Sequence, residues 1–444
     1  MDDASITRAA SLTGTLQLPA DKAICHRAAL LSAISDGTTR IAPWSTAEDC
    51  RRTVEVLRGL GVPMIETREG LEVTGVGVSG LRAPTEPLDC GESGTTMRLS
   101  CGLLAGQSFT SRLTCGESLR HRPMRRVIEP LSRMGARIEA ISPVMNEMEP
   151  EDYPPLDITG SRLTGIAYTL PVASAQVKSA ILLAGLYADR PTTVIEPLST
   201  RDHTERLLQK LGVHIIHEGT SITLHPPTGK LPGVGHLTVP GDPSSAAFFV
   251  VAAASLPGSR LVICDVGLNP TRTAFLEVLR RMGAAIEVEV HDQAWEPRGT
   301  ITVSASPLRG TTIAAGEAPA LIDELPILMV AACVAEGQTR FEGVGELRVK
   351  ETDRVHSMIT GLKAMGANLL ASPDGSLVVQ GGRPLHHATV ESFGDHRTAM
   401  SLSVAGLLAE GQTRVRGVEC VAKSLGNFFE LLASIVGSSI VNVS

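Results

Sequence analysis

The chain of 444 residues is 43% hydrophobic but only 3% aromatic, and its net charge is -7. That balance argues against a nucleic-acid surface, which needs a basic footprint and stacking platforms, and the longest apolar runs, Ala246 to Leu256 and Leu325 to Ala335, are too short to cross a bilayer. Eight scattered cysteines with no C-x-x-C spacing point to reduced thiols rather than a disulfide frame or a zinc site.

Taken in chain order, one pattern recurs six times: an alanine-rich helix that runs through a glycine into a strand. The copies are Leu30 to Pro43, Cys101 to Thr114, Leu183 to Pro197, Val251 to Val266, Val330 to Val344 and Val404 to Val418, the third being the loosest. Each is followed by a second helix that ends on glycine and feeds another strand, as at Val56 to Val62, Pro130 to Ala136, Leu207 to Val213, Val278 to Ala284, Ile359 to Ala367 and Leu431 to Gly437. A period of roughly 70 to 80 residues is longer than a solenoid repeat and predicts small α/β subdomains. Six of them divide most simply into two halves of three, with hinges at Pro19-Ala20-Asp21 and Val239-Pro240-Gly241-Asp242. With so few aromatic side chains, the core must be built from closely packed Ala, Leu, Val and Ile.

Helix starts attract anions through their unpaired N–H groups and dipole. The six first helices are expected to begin at Asp21-Lys22, Glu92-Ser93-Gly94-Thr95, Ser174-Ala175-Gln176, Asp242-Pro243-Ser244-Ser245, Ile322-Asp323-Glu324 and Asp395-His396-Arg397. Asp242 reads as a plain N-cap before proline. The other five carry polar groups beyond capping needs, although Asp323 also reads as a cap, with Pro326 in the first turn. The second helices are expected to open with Arg122-Pro123, Thr200-Arg201-Asp202-His203, Asn269-Pro270-Thr271-Arg272, Lys350-Glu351-Thr352-Asp353-Arg354 and Lys423-Ser424. Any one of these cations reads as a solvated surface charge. Their recurrence at matching repeat positions, where the dipole disfavours them, points to a shared anion site. If the helix includes Lys350, it also shares a face with Arg354.

Other signals carry less. Gly75-Val76-Gly77-Val78-Ser79-Gly80 fits G-x-G-x-x-G, but Leu81-Arg82-Ala83-Pro84 rather than a helix follows, against a dinucleotide site. His214 and His217 fall on opposite faces of a strand-like stretch, which is no metal site. His386-His387 reads as a surface loop. The start Met1-Asp2-Asp3-Ala4-Ser5 has neither a basic nor an apolar leader region, so a cytoplasmic location is expected.

Pro19 to Ala28, Gly94-Thr95-Thr96-Met97-Arg98, Arg122-Pro123-Met124, Val172 to Ser179, Thr200-Arg201-Asp202-His203-Thr204-Glu205, Arg348-Val349-Lys350-Glu351-Thr352-Asp353-Arg354 and Asp395-His396-Arg397 resemble, in order over nearly the whole chain, the signature runs of the enolpyruvylshikimate phosphate synthase family. The resemblance implies a two-domain inside-out α/β barrel of six β-α-β-α-β-β repeats, three per domain, with helices inside a sheet wall. Residues 22–239 would form the first domain. Residues 1–21 with 240–444 would form the second, with the active site in the cleft between them. It implies transfer of the carboxyvinyl group of phosphoenolpyruvate to the 5-hydroxyl of shikimate 3-phosphate, with release of phosphate and with no metal, organic cofactor, nucleic acid or membrane. A monomer is expected.

By the same resemblance, Lys22, Gly94, Arg122, Gln176, Arg354, Arg397 and Lys423 would bind phosphoenolpyruvate. Lys22, Arg27, Ser174, Ala175, Gln176, Thr200, Arg201, Asp323 and Lys350 would hold shikimate 3-phosphate. Asp323 would accept the hydroxyl proton and Glu351 would give and recover one at the methylene, with Lys22 relaying charge at the phosphate and His396 in support. The chain departs from the family's pattern at Ala23, where serine is usual, at Glu92, where asparagine is usual, and at Gly426, within Ser424-Leu425-Gly426 where the family has S-F-P. A carboxylate at position 92 near anionic substrates is unfavourable unless it points away or is protonated. Because Gly94 is kept, glyphosate sensitivity is expected. Two alternatives stay open: a sister enzyme acting on UDP-N-acetylglucosamine, whose cysteine loop has no match around Cys115-Gly116-Glu117-Ser118, and a non-catalytic anion-binding relative.

Overall fold

The computed structural model describes residues 2–141, 151–372 and 374–444. They divide into two compact units, Ala20–Val239 and a discontinuous one made of Met1–Pro19 with Pro240–Ser444. In the discontinuous unit, helices Pro243–Ser255, Leu325–Val334 and His396–Leu408 are apolar or small on nearly every face and bury almost all of their residues. A helix without a polar side has to be interior, and these three pack against one another. Lys22–Ala33, Gly94–Ala105 and Ala175–Gly185 are the corresponding buried helices of the Ala20–Val239 unit. The second helices bury only a stripe: Glu48–Gly59 covers Cys50, Thr53, Val54, Val56 and Leu57 and turns its arginines outward. Their glycine ends follow the left-handed C-terminal geometry that only glycine adopts without strain, as at Gly61 and Gly366, with φ of 85° and 87°.

Six four-stranded sheets lie among the described residues, three in each unit. All share one order: an edge strand parallel to the strand that follows a first helix, then two antiparallel neighbours. Parallel neighbours need a crossover, which the interior helix supplies, as Ala175–Gly185 does between Ala167–Thr169 and Thr192–Ile195. Sidedness follows from the alternation along strands such as Arg298–Ser304, where every second residue is buried.

In two sheets the edge strand is exchanged. Thr13–Gln17 precedes Lys22–Ala33 in the chain but pairs with Arg260–Gly267. His236–Thr238 precedes Pro243–Ser255 but pairs with Asp36–Ala42. Asp3–Thr7 in turn lies between Gln412–Arg416 and Val441–Val443. The chain thus passes from one unit to the other at each of the two proline-containing turns.

Scarce aromatics are replaced by close backbone approach. A Cβ built on Gly102 would stand 2.2 Å from the Ala180 carbonyl oxygen of the neighbouring interior helix. All eight cysteines are free, and burial pushes the Cys101 and Cys333 thiols up to about 12. No helix among the described residues is long and apolar enough to cross a membrane. Gly102→Ala is expected to destabilise by about 1–3 kcal/mol through overpacking. Gly316→Ala, which meets no atom within 4 Å, should stay within about 0.5 kcal/mol of the parent in the same urea titration.

Candidate active site

In the Ala20–Val239 unit, short side chains cap the helix starts. Asp21, Ser93 and Ser174 accept from the N–H groups of Ile24, Thr96 and Val177, each satisfying an orphan donor. Capping therefore does not need Lys22, Gly94 or Gln176. Lys22 Nζ is 2.8 Å from Asp49 Oδ2, a partner that sequence reasoning missed because it sits on the second helix of the repeat. Arg27, buried one turn further on, donates to Ser179 Oγ, Thr204 Oγ1 and the Ala23 carbonyl at 2.7–2.9 Å. It ties together three of the runs that carry the sequence signature.

Arg122 lies over Gly94, where an added Cβ would be 2.6 Å from Arg122 Nη1 and 3.2 Å from Arg98 Nη1. Arg98, given no role from sequence, donates at 2.6 Å to Gln176 Oε1 and at 3.2 Å to the Pro123 carbonyl. Gln176 Nε2 donates in turn to Thr95 Oγ1 at 2.8 Å. The spacing of Arg98 four residues after Gly94 on one helix was the available signal. Glu92 points away from this group: it accepts from Ser118 Oγ, from Ser118 N at 3.4 Å and from Leu119 N at 3.0 Å. Its carboxylate caps the 3-10 turn Leu119–His121 that leads to Arg122, and the electrostatic conflict raised by an acid at this position is resolved by orientation. Thr200 is buried and donates through its hydroxyl to Glu196, and Arg201 follows it, partly exposed, ahead of helix His203–Lys210.

In the discontinuous unit, one buried guanidinium gathers three carboxylates. Arg354 is 1% exposed, with Nε 2.7 Å from Asp395, Nη2 2.5 Å from Glu351 and Nη1 3.4 Å from Asp323. Burial opposes its charge, but Asp395, Glu351 and Asp323 outweigh that and hold its pKa above the ordinary value. Arg397 Nε is 3.3 Å from the same Asp323 carboxylate, and its Nη1 donates to the Asp323 carbonyl at 2.8 Å. Asp395 caps helix His396–Leu408 through Arg397 N and Thr398 N, which places buried His396 at the first helical position. Lys423 Nζ donates to the Gly394 carbonyl at 3.2 Å.

Several expectations change. The second helices begin later than expected, at Arg125, Ala274, Arg354 and Phe428, so that Arg122, Arg272, Lys350 and Lys423 precede them. Asp323 is not a cap, because Glu324 holds that position ahead of Leu325–Val334 and accepts from Ser244 Oγ instead. Lys350 lies outside the helix, which starts at Arg354 behind the Asp353 cap, so no like-charged pair shares a helix face. Arg272 needs no external anion: its Nη2 is 3.0 Å from Asp242 and 2.8 Å from Ser244 Oγ, so Asp242 serves as both cap and counter-ion.

In each unit, cations gathered at or beside the starts of interior helices suit an α/β protein that binds anionic substrates. The family described as EPSP synthase (3-phosphoshikimate 1-carboxyvinyltransferase) matches residues 6–432, and the chain belongs to it. It is 45% identical over 439 residues to the 3-phosphoshikimate 1-carboxyvinyltransferase of Geotalea uraniireducens, covering 98% of this chain and 100% of that one. It is 48% identical over 432 residues to the protein of that name from Synechococcus sp., covering 96% of each. The solved EPSP synthase of Acinetobacter baumannii superimposes with a TM-score of 0.86 at 41% identity, covering all of both chains.

The atom nearest to a Cβ at Gly94 is the far end of a flexible arginine. Gly94→Ala is therefore expected to leave stability within about 1 kcal/mol of the parent while displacing Arg122. In steady-state kinetics KM for phosphoenolpyruvate should rise several-fold, with that for the second substrate nearly unchanged.

Proposed function

We propose that this chain transfers the carboxyvinyl group of phosphoenolpyruvate to the 5-hydroxyl of shikimate 3-phosphate and releases phosphate, as a cytoplasmic monomer without metal or organic cofactor. The observation that carries the reading is the Asp323 carboxylate set between Arg354 and Arg397, with Glu351 on the other side of Arg354. Such an array supplies proton acceptors beside fixed positive charge, which is what addition to an anionic enol phosphate requires.

The substrates bring two phosphates and two carboxylates. Lys22, Arg122, Arg354, Arg397 and Lys423, with the Gly94 backbone and the Gln176 amide, take phosphoenolpyruvate. Arg27, Ser174, Ala175, Gln176, Thr200, Arg201 and Lys350 take shikimate 3-phosphate. Asp323 accepts the proton of the 5-hydroxyl as its oxygen bonds to the central carbon of phosphoenolpyruvate, and Glu351 delivers a proton to the methylene. In the second step Glu351 recovers a proton from the methyl group so formed as the carbon–oxygen bond to phosphate breaks, with Lys22 beside the departing phosphate and His396 in support. An arriving anion competes with Glu351 for Arg354, and a carboxylate deprived of its cation binds a proton more readily.

Phosphate release from phosphoenolpyruvate tests the reading. Release with shikimate 3-phosphate and none with UDP-N-acetylglucosamine is expected; the opposite preference, or none with either by folded protein, overturns it. Glu351→Ala should lower kcat by ~10² or more, with calorimetric binding of shikimate 3-phosphate nearly intact. Lost binding would assign Glu351 to the ligand rather than to proton transfer.

A further inference from the structure

A second buried charge cluster lies in the Ala20–Val239 unit, and the mechanism above makes no use of it. Lys178, on interior helix Ala175–Gly185, is 1% exposed, and its Nζ is 3.0 Å from Glu196 and 2.7 Å from Glu205. Both glutamates are buried, at 4% and 1% exposure. One ammonium shared by two carboxylates is an expensive arrangement in a dry interior, and it is kept only where the geometry is worth holding. The two carboxylates differ in what else they touch. Glu196, just past strand Thr192–Ile195, accepts from the Thr200 hydroxyl and from Thr200 N at 3.4 Å, closing the five-residue loop Glu196 to Thr200 on itself. Lys178 Nζ reaches the other side of the same residue, 3.4 Å from the Thr200 carbonyl oxygen. Glu205, on helix His203–Lys210, meets Lys178 but accepts no hydrogen bond from that loop.

We infer that Glu196 is a positioning residue for the acceptor substrate. Through Lys178 it fixes the loop that presents Thr200 and Arg201 against the helix start that presents Ser174 and Gln176. The inference rests on the assignment of those four residues to shikimate 3-phosphate. Lys178 supplies the mechanical link: its backbone is one turn below Ser174, whose carbonyl accepts from Lys178 N at 3.0 Å, while its side chain grips the loop. Glu205 balances the opposite side of the ammonium and ties in the following helix, so it contributes to the fold and not to the loop.

The two glutamates provide an internal control, because both pair with one lysine and only Glu196 accepts hydrogen bonds from Thr200. Glu196→Asp keeps the cluster's charge but shortens the reach to Thr200. It should raise KM for shikimate 3-phosphate, and weaken its calorimetric binding, on the order of tenfold. The KM for phosphoenolpyruvate and kcat at saturation should change little. Glu196→Gln retains an acceptor for the Thr200 hydroxyl and should recover most of that loss. Glu205→Asp and Glu205→Gln are expected to shift the thermal midpoint without moving KM for shikimate 3-phosphate. Equal effects from the Glu196 and Glu205 series, or an unmoved KM in Glu196→Asp with wild-type turnover intact, would overturn the inference and leave the functional reading standing. A wild-type chain that neither binds nor turns over shikimate 3-phosphate removes that reading and this inference together.

Discussion

Charge buried at helix starts is the constraint on which the arrangement depends. Arg354 sits at the first position of its helix, where the backbone dipole disfavours a cation, and it is sealed from water. It is tolerable only because Asp395, Glu351 and Asp323 converge on it from three segments of the chain. Removing one partner of such a group costs several kcal/mol, since the remaining charge is left unpaired. The same energetic necessity that holds these segments in register also keeps their carboxylates at fixed places, so the positions of the two groups proposed to move protons follow from neutralising one guanidinium.

Repetition shows how that constraint was met in different ways at matching positions. At Arg272 the chain supplies its own anion, Asp242, with Ser244 and Glu324 completing the chain of hydrogen bonds. At Arg122 the neighbouring helix start offers a glycine, and the guanidinium lies over bare backbone. A carboxylate at one start and a missing side chain at another turn one structural template into a closed internal pair in the first case and a guanidinium laid on glycine backbone in the second.

Much of this was legible in the residues. Runs such as Ala246 to Leu256 have no polar face and so identify interior helices, and glycine after each second helix marks its end through a backbone angle that other residues avoid. The cap at Asp242 reads correctly because it depends on neighbours within one turn, and the helix starts expected at Asp21 and Asp395 fall where the structure has them. Where partners come from distant segments, local reasoning failed. Asp323 looks like a cap beside Pro326, yet its carboxylate answers to Arg354 and Arg397. Glu92 looked misplaced until Ser118 and Leu119, brought alongside by the sheet, gave it donors. Lys178, Glu196 and Glu205 are separated in sequence by a strand and a loop, and no spacing rule announces that their charges meet.

The exchanged strands bear on the order in which the molecule can be assembled on a ribosome. Residues 20–239 have every strand of their sheets once His236–Thr238 has emerged, because that segment supplies the last edge. The opening Asp3–Thr7 has no such early partner: it lies between strands at residues 412–416 and 441–443. At ordinary elongation speeds it stays unpaired for roughly 20 to 90 s while the rest is translated. Its composition suits the wait, since only Ala4 and Ile6 are buried in the finished sheet and Asp3, Ser5 and Thr7 are polar, leaving little for a neighbouring nascent chain to adhere to.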